Sequence, residues 1–179
     1  SLPDGWTPPY DHTLPGQTPI FNKFTDRDKR EFLRSYYACT SFMDAQLGKV
    51  LDALEEEGLM ENTMIVFFGD HGYHLGEHNW WNKVTVYEKG HHAPMIIMNG
   101  DPSLSGVETS AFVEFLDLYP TLASCFNLEG IPEYLEGKSF EILLRNPDAG
   151  FRDHVNILTR RGKMIGRSVK TREWRYTEW

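Results

Sequence analysis

"MIVFFGDHGYHLGEHNWWNK" (Met64–Lys83) is the stretch on which the fold turns. Apolar residues run without alternation from Met64 to Phe68, the pattern of a strand covered on both faces, and they stop at Gly69. Gly69 to His78 then crowd one Asp, one Glu, three His and three Gly into a single segment. In an open α/β sheet, ligands gather beyond the carboxyl ends of the strands, and Asp70 and His71 stand just past this one. Gly69 and Gly72 flank them and permit tight backbone there.

An Asp carboxylate beside an imidazole nitrogen suits a divalent cation, with oxygen-rich surroundings favouring calcium or magnesium and nitrogen-rich ones zinc. Two ligands do not complete a site. The same spacing equally suits an Asp that closes a turn and a His that satisfies a buried backbone group. His71, His74 and His78 fall at helical spacing, but Gly72 and Gly76 weaken such a helix by about 1 kcal/mol each. His74 and His78 are therefore expected in a loop, near the site or solvated. Lys83 closely follows Trp80 and Trp81. A lysine held by aromatic neighbours near a cation can grip an anionic oxygen as a point charge; a surface lysine whose stem covers a tryptophan is the alternative.

Upstream, Thr25 and Asp28 form a capping-box pattern that opens an amphipathic helix of roughly 30 residues. Leu33, Tyr36, Met43, Leu47, Val50 and Leu54 supply its apolar stripe, and Gly58 is its expected stop. The five prolines in residues 1–22 exclude a regular element there, so residues 1–24 read as an extended segment. Downstream, "APMIIM" (Ala93–Met98) is a second buried strand, closed by the turn-rich "NGDPS". This order suggests a mixed or parallel sheet with helices packed on it. Asp117 reads as an N-cap with Pro120 in the first turn of a helix over "LYPTLASCF", and "HVNIL", "KMIGRSV" and "EWRYTEW" as a small antiparallel sheet.

With 179 residues, 40% of them hydrophobic, the chain can bury one sizeable core. Its formal net charge of −8 argues against a nucleic-acid binder, and it has no apolar run of the length that spans a membrane. Cys39 and Cys125 lie in separate apolar patterns, which makes a disulfide framework or a zinc ribbon an unsuitable reading. The chain begins at Ser1 and stops at "YTEW" inside a strand-like pattern, so both ends are expected to be cuts.

Four ordered blocks carry a resemblance. The run "FFGDHGYHLGEHNWWNKVTVYEKGHHAPMII", the preceding "YYACTSFMDAQLGKVLDAL", the later "FLDLYPTLASCFNLEGIP" and the closing "GRSVKTREWRYTEW" resemble the sulfatase family, most closely its iduronate 2-sulfatase-like branch. The likeness implies an α/β fold: part of an alkaline-phosphatase-like mixed sheet with flanking helices, plus a small C-terminal antiparallel sheet. Residues 25–130 would be the C-terminal part of the catalytic domain and 131–179 the truncated start of a small subdomain. Carried over residue by residue, Asp70 and His71 would be calcium ligands and Lys83 the lysine that contacts the sulfate. His92 would have substrate-side or structural duty, and His78 would lie near the site as a further substrate-binding residue.

The family's nucleophile is a formylglycine made from the first residue of a Cys/Ser-x-Pro-x-Arg motif, which neither Cys39 nor Cys125 begins. In such enzymes its hydrate attacks sulfur, releases the alcohol, and collapses to aldehyde and sulfate. The resemblance thus implies a sulfuric ester hydrolase of which this chain holds the lysine-and-metal side, partnered by an N-terminal part of the same protein and inactive alone. Its substrate would be a sulfated carbohydrate or another sulfate ester, and its compartment periplasmic, secreted or lysosomal rather than cytoplasmic. The seven basic residues between Arg160 and Arg175, against the single acid Glu173, would either receive a sulfated polysaccharide or serve as solvent faces of edge strands. Two rivals remain: a phosphonate monoester hydrolase or phosphodiesterase of the same superfamily, and a non-catalytic binding module.

Overall fold

The computed structural model describes residues 23–99, 106–161 and 163–179. Most of the N-terminal proline-rich segment and most of "NGDPS" lie outside the described residues. The chain divides into two compact units, Ser1–Gly100 and Asp101–Trp179.

The first unit opens with helix α1 (Asp26–Glu56), set by local chemistry at both ends. Thr25 and Asp28 form the capping box, each side chain bonding the other's backbone N–H. Such a cap is worth about 1 kcal/mol. At the other end Gly58 takes φ +66°, and the Leu59 and Gly58 N–H groups donate to the Leu54 and Glu55 carbonyls, closing a Schellman turn. The apolar stripe is covered only in part. Leu33, Tyr36, Leu47 and Leu54 are half-buried, whereas Met43 and Val50 are exposed and no residue of α1 is fully buried. Contacts with the following loop fall at the helix's N-terminal end, where Phe32 and Tyr36 meet Tyr73 (6.4 and 5.2 Å between ring centroids) and Phe32 meets Trp81 edge-on (5.3 Å).

Strands β1 (Ile65–Phe68) and β2 (Met95–Met98) form where the apolar runs stand. They pair antiparallel, Ile65 opposite Met98 and Phe68 opposite Met95. The expectation of strands covered on both faces is corrected: Phe68, Ile96 and Met98 are exposed, Ile96 by 63%. Between the strands runs a loop whose tryptophans, Trp80 and Trp81, are buried with Val86, and which ends in the short helix α2 (Glu88–His91).

In the second unit a 3-10 turn, Phe115–Asp117, leads into α3 (Leu118–Cys125), and Ala123, Phe140 and Leu143 are its buried apolar residues. Asp117 precedes α3 but does not cap it with its side chain. Its fully buried carboxylate accepts the backbone N–H groups of Glu114 and Lys138 and the Arg152 guanidinium, at 2.6 to 2.8 Å. A charge 35 residues away thus outcompetes the local cap, because a buried carboxylate without a counter-charge costs more than an unfilled cap. Strands β3 (His154–Arg161), β4 (Met164–Thr171) and β5 (Arg175–Glu178) form an antiparallel sheet in that order. One face is covered: Gly166 and Ser168 are buried, Gly166 beneath the Trp179 ring. The other carries exposed Leu158, Ile165, Val169 and Tyr176.

Candidate functional site

Asp70 and His71 follow β1 directly, and the chain then doubles back on itself. The Gly72 N–H donates to the Gly90 carbonyl (3.2 Å), the His74 N–H to Asn82 (3.0 Å) and the Gly76 N–H to Trp80 (3.0 Å). At Gly72 any Cβ would collide with the Lys89 carbonyl oxygen, so this close approach requires glycine. These rungs lay Lys83 alongside His71 although the two are twelve residues apart.

The site's polar geometry centres on His71. Its Nδ1 lies 2.8 Å from the Gly72 carbonyl oxygen, and only an N–H can bond there, so the neutral ring carries its proton on Nδ1 and a lone pair on Nε2. Lys83 Nζ donates to that lone pair at 2.9 Å. The Asp70 Oδ2 atom stands 3.2 Å from the same Nε2. Two electron-rich atoms so close need a positive charge beside them, which Lys83 supplies on one side. The spacing is also that of neighbouring ligand atoms around a cation with bonds of about 2.3–2.6 Å. Asp70 and His71 therefore fit as two donors of a metal site. Among the described residues no group of three or more His, Cys, Asp or Glu side chains is arranged to hold an ion.

The side chains of the other expected site residues have other partners. His92 is exposed, and its Nδ1 lies 3.2 Å from Glu88 Oε1. His78 is exposed with φ 56° and stacks on Tyr87, ring centroids 4.5 Å apart. No helix places His71, His74 and His78 on one face. His74 is neither solvated nor peripheral: it is fully buried, with Nε2 2.7 Å from the buried Thr85 hydroxyl. Burial pushes its pKa below 6.5, against the upward pull of the Glu77 carboxylate. Burial likewise pushes the Tyr73 phenol above its ordinary 10.0. The signal missed in the sequence was Thr85, a hydroxyl at the start of "TVYEKG" that gives a buried imidazole its partner.

Among the described residues of the basic run, Arg160, Arg167, Lys170 and Arg175 are divided between the two faces of the sheet. Arg160 and Arg167 occupy diagonal positions on the exposed face of the sheet, and Arg167 lies 3.8 Å from Glu178. Lys170 alternates to the other face, where its ammonium sits 5.4 Å over the Phe112 ring. Arg175 reaches the Ser168 hydroxyl at 3.5 Å.

The α/β arrangement with its small C-terminal antiparallel sheet matches solved structures of the alkaline-phosphatase-like fold. The phosphonate monoester hydrolase of Silicibacter pomeroyi superposes with a TM-score of 0.80 over 97% of this chain and 37% of its own, at 23% identity, a likeness of fold alone. A structure solved in complex with its substrate D-glucosamine-2-N,6-O-disulfate superposes with a TM-score of 0.74 at 26% identity, covering 80% of this chain and 31% of its own. The profile of the family described as Sulfatase matches residues 6–128. A sulfatase of Formosa agariphila is 34% identical over 152 residues, 84% of this chain and 29% of the relative, and arylsulfatase K of Xenopus laevis 36% identical over 122 residues, 68% of this chain and 22% of the relative. The chain belongs to the sulfatase family. It spans roughly a fifth to a third of the length of these curated relatives, whose differing names do not single out the iduronate branch.

Proposed function

We propose that these residues form the lysine-and-metal side of a sulfuric ester hydrolase acting on a sulfated carbohydrate. The observation that carries the reading is the convergence of Asp70 Oδ2 and Lys83 Nζ on His71 Nε2, within 3.2 and 2.9 Å. Asp70 and His71 would hold a calcium ion, which when bound supplies positive charge to the sulfuryl oxygens. The single Nε2 lone pair would then serve the ion, which leaves the neighbouring Lys83 ammonium to place a second positive charge on the sulfuryl oxygens, and fixed charges contribute most where negative charge develops in a transition state. The Nδ1 bond to Gly72 fixes the His71 ring, so the Nε2 lone pair keeps its direction.

The remainder of the site would come from an upstream part of the same protein that carries the formylglycine. Three observations support this. The chain contains no Cys/Ser-x-Pro-x-Arg motif, it spans about three tenths of the Formosa relative, and β1 and β2 leave Phe68, Ile96 and Met98 exposed. A two-stranded ribbon is marginally stable by itself, so its apolar face is suited to further strands of the domain. No described helix is long and apolar enough to cross a membrane, and the proposed compartment is periplasmic, secreted or lysosomal. The carbohydrate preference rests on the glucosamine disulfate bound by the superposed neighbour.

The test is turnover of an aryl sulfate against an aryl phosphodiester by the full-length protein. Sulfate release as the faster reaction is expected; a faster phosphodiester reaction would overturn the assignment in favour of the phosphonate hydrolase class. The 179 residues alone should release no sulfate above a Lys83→Ala control.

A further inference from the structure

We propose that His74 and Thr85 are positioning residues for Lys83, a buried rung that sets where its ammonium points. Lys83 is followed by Val84, a β-branched residue held at φ 65°, a left-handed conformation that such a residue adopts only when its surroundings impose it. Two sets of contacts impose it here. Before the bend, the Trp80 indole N–H donates to the Lys83 carbonyl (3.1 Å), and the Lys83 N–H donates to Asn82 Oδ1 (2.8 Å). After the bend, the Thr85 hydroxyl meets His74 Nε2 at 2.7 Å, both groups buried. The Tyr87 N–H points at the same hydroxyl oxygen (3.4 Å), which leaves the hydroxyl hydrogen for the imidazole.

The rung joins the two halves of the loop that carry the site. His74 is three residues beyond His71, and Thr85 two beyond Lys83, so a fixed His74–Thr85 distance fixes the separation of the two functional side chains. Gly90 packs against Thr85 so closely that a Cβ would strike its hydroxyl oxygen, so Thr85 has little room to turn away. Without the hydroxyl, Val84 loses the contact on its C-terminal side and relaxes, and Lys83 moves with it. Misplacing a charge-bearing group by about 1 Å lowers a rate by up to about 100-fold.

This inference rests on the reading of Lys83 as the group that grips the sulfuryl oxygens. Its test is a cycle in the full-length enzyme with Thr85→Val, which keeps the shape and removes the hydroxyl, Thr85→Ser, which retains it, and Lys83→Ala with and without Thr85→Val. Thr85→Val should lower kcat/KM for a sulfate ester by about 10- to 100-fold, and Thr85→Ser should recover most of that loss. In the Lys83→Ala background, Thr85→Val should change little, because there is no ammonium left to misplace. Equal losses in both backgrounds would overturn the proposal, as would Thr85→Val at wild-type kcat/KM. Should Thr85→Val prove unfolded at the assay temperature, His74→Gln, which keeps a polar group at the reach of Nε2, replaces it in the same cycle and is judged by the same non-additivity. If the enzyme hydrolyses a phosphodiester rather than a sulfate, the cycle is run on that ester, and non-additivity there upholds the positioning role while the sulfatase reading falls.

Discussion

Replacing Arg152 by Met keeps the bulk of the side-chain stem and removes only the guanidinium. That guanidinium meets both oxygens of Asp117, at 2.6 and 2.8 Å, and Glu114 Oε2 at 3.0 Å. Asp117 is fully buried, and the Arg152 and Glu114 side chains are themselves largely covered, at 17% and 18% exposure. Arg152→Met therefore leaves two carboxylates facing each other, one of them out of reach of water. Breaking a buried pair by removing one partner costs about 3–5 kcal/mol. The two backbone N–H groups that still reach Asp117 offset part of this, which places the expectation near the lower end, at about 3 kcal/mol. For a chain of this size each kcal/mol lowers the melting temperature by about 2–4 °C, so the variant should melt roughly 6–12 °C below wild type. Arg145→Met is the control, since Arg145 meets Glu141 at an exposed position and such pairs are worth at most about 1 kcal/mol. Calorimetry or urea unfolding of the three proteins decides the matter. Equal melting temperatures for Arg152→Met and Arg145→Met would refute the claim that the buried ion cluster holds the second unit together.

Two further outcomes follow from the first unit. Burial keeps His74 neutral below 6.5, where the unfolded chain already takes up its proton. Its contribution is complete above pH 6.5 and is lost as pH falls below that value, at up to about 1.4 kcal/mol per pH unit. Melting curves between pH 8 and pH 5 should therefore descend more steeply for wild type than for His74→Gln, and parallel curves would contradict the assignment. Calcium titrated into the 179-residue chain should bind no more tightly than about 1 mM, since among the described residues no group of three or more ligand side chains comes together and Asp70 and His71 offer two donors. A micromolar dissociation constant by calorimetry would mean that the chain holds a complete site.

Local chemistry made part of this structure legible in advance. Thr25, Asp28 and Gly58 fix the ends of α1 through bonds within a few residues of themselves, and the apolar runs mark β1 and β2. Glycines around an acid and an imidazole at a strand end marked the position of Asp70 and His71 as well. What stayed hidden depends on partners distant in sequence. The β1–β2 pairing joins segments some thirty residues apart, and no local pattern states its direction. Asp117 looks like a cap because its counter-charge, Arg152, is 35 residues away. His74 looks solvated between glycines because its burial depends on Thr85 and on a chain reversal built from rungs at Gly72, His74 and Gly76. The exposure of Met43, Val50, Phe68 and Ile96 is invisible for a different reason: an apolar residue reads as buried whatever covers it.

The measurement that bears most directly on the account is sulfate release by the full-length protein before and after Lys83→Ala. Lys83 is exposed and its ammonium bonds His71, so truncation should leave the melting temperature nearly unchanged. The account expects kcat to fall by about 100-fold or more, the cost of removing one oriented charge from a developing anion. A fall of less than about threefold, with the fold intact, would mean that the charge beside Asp70 and His71 does not act on the reacting ester, and the proposed site would be wrong.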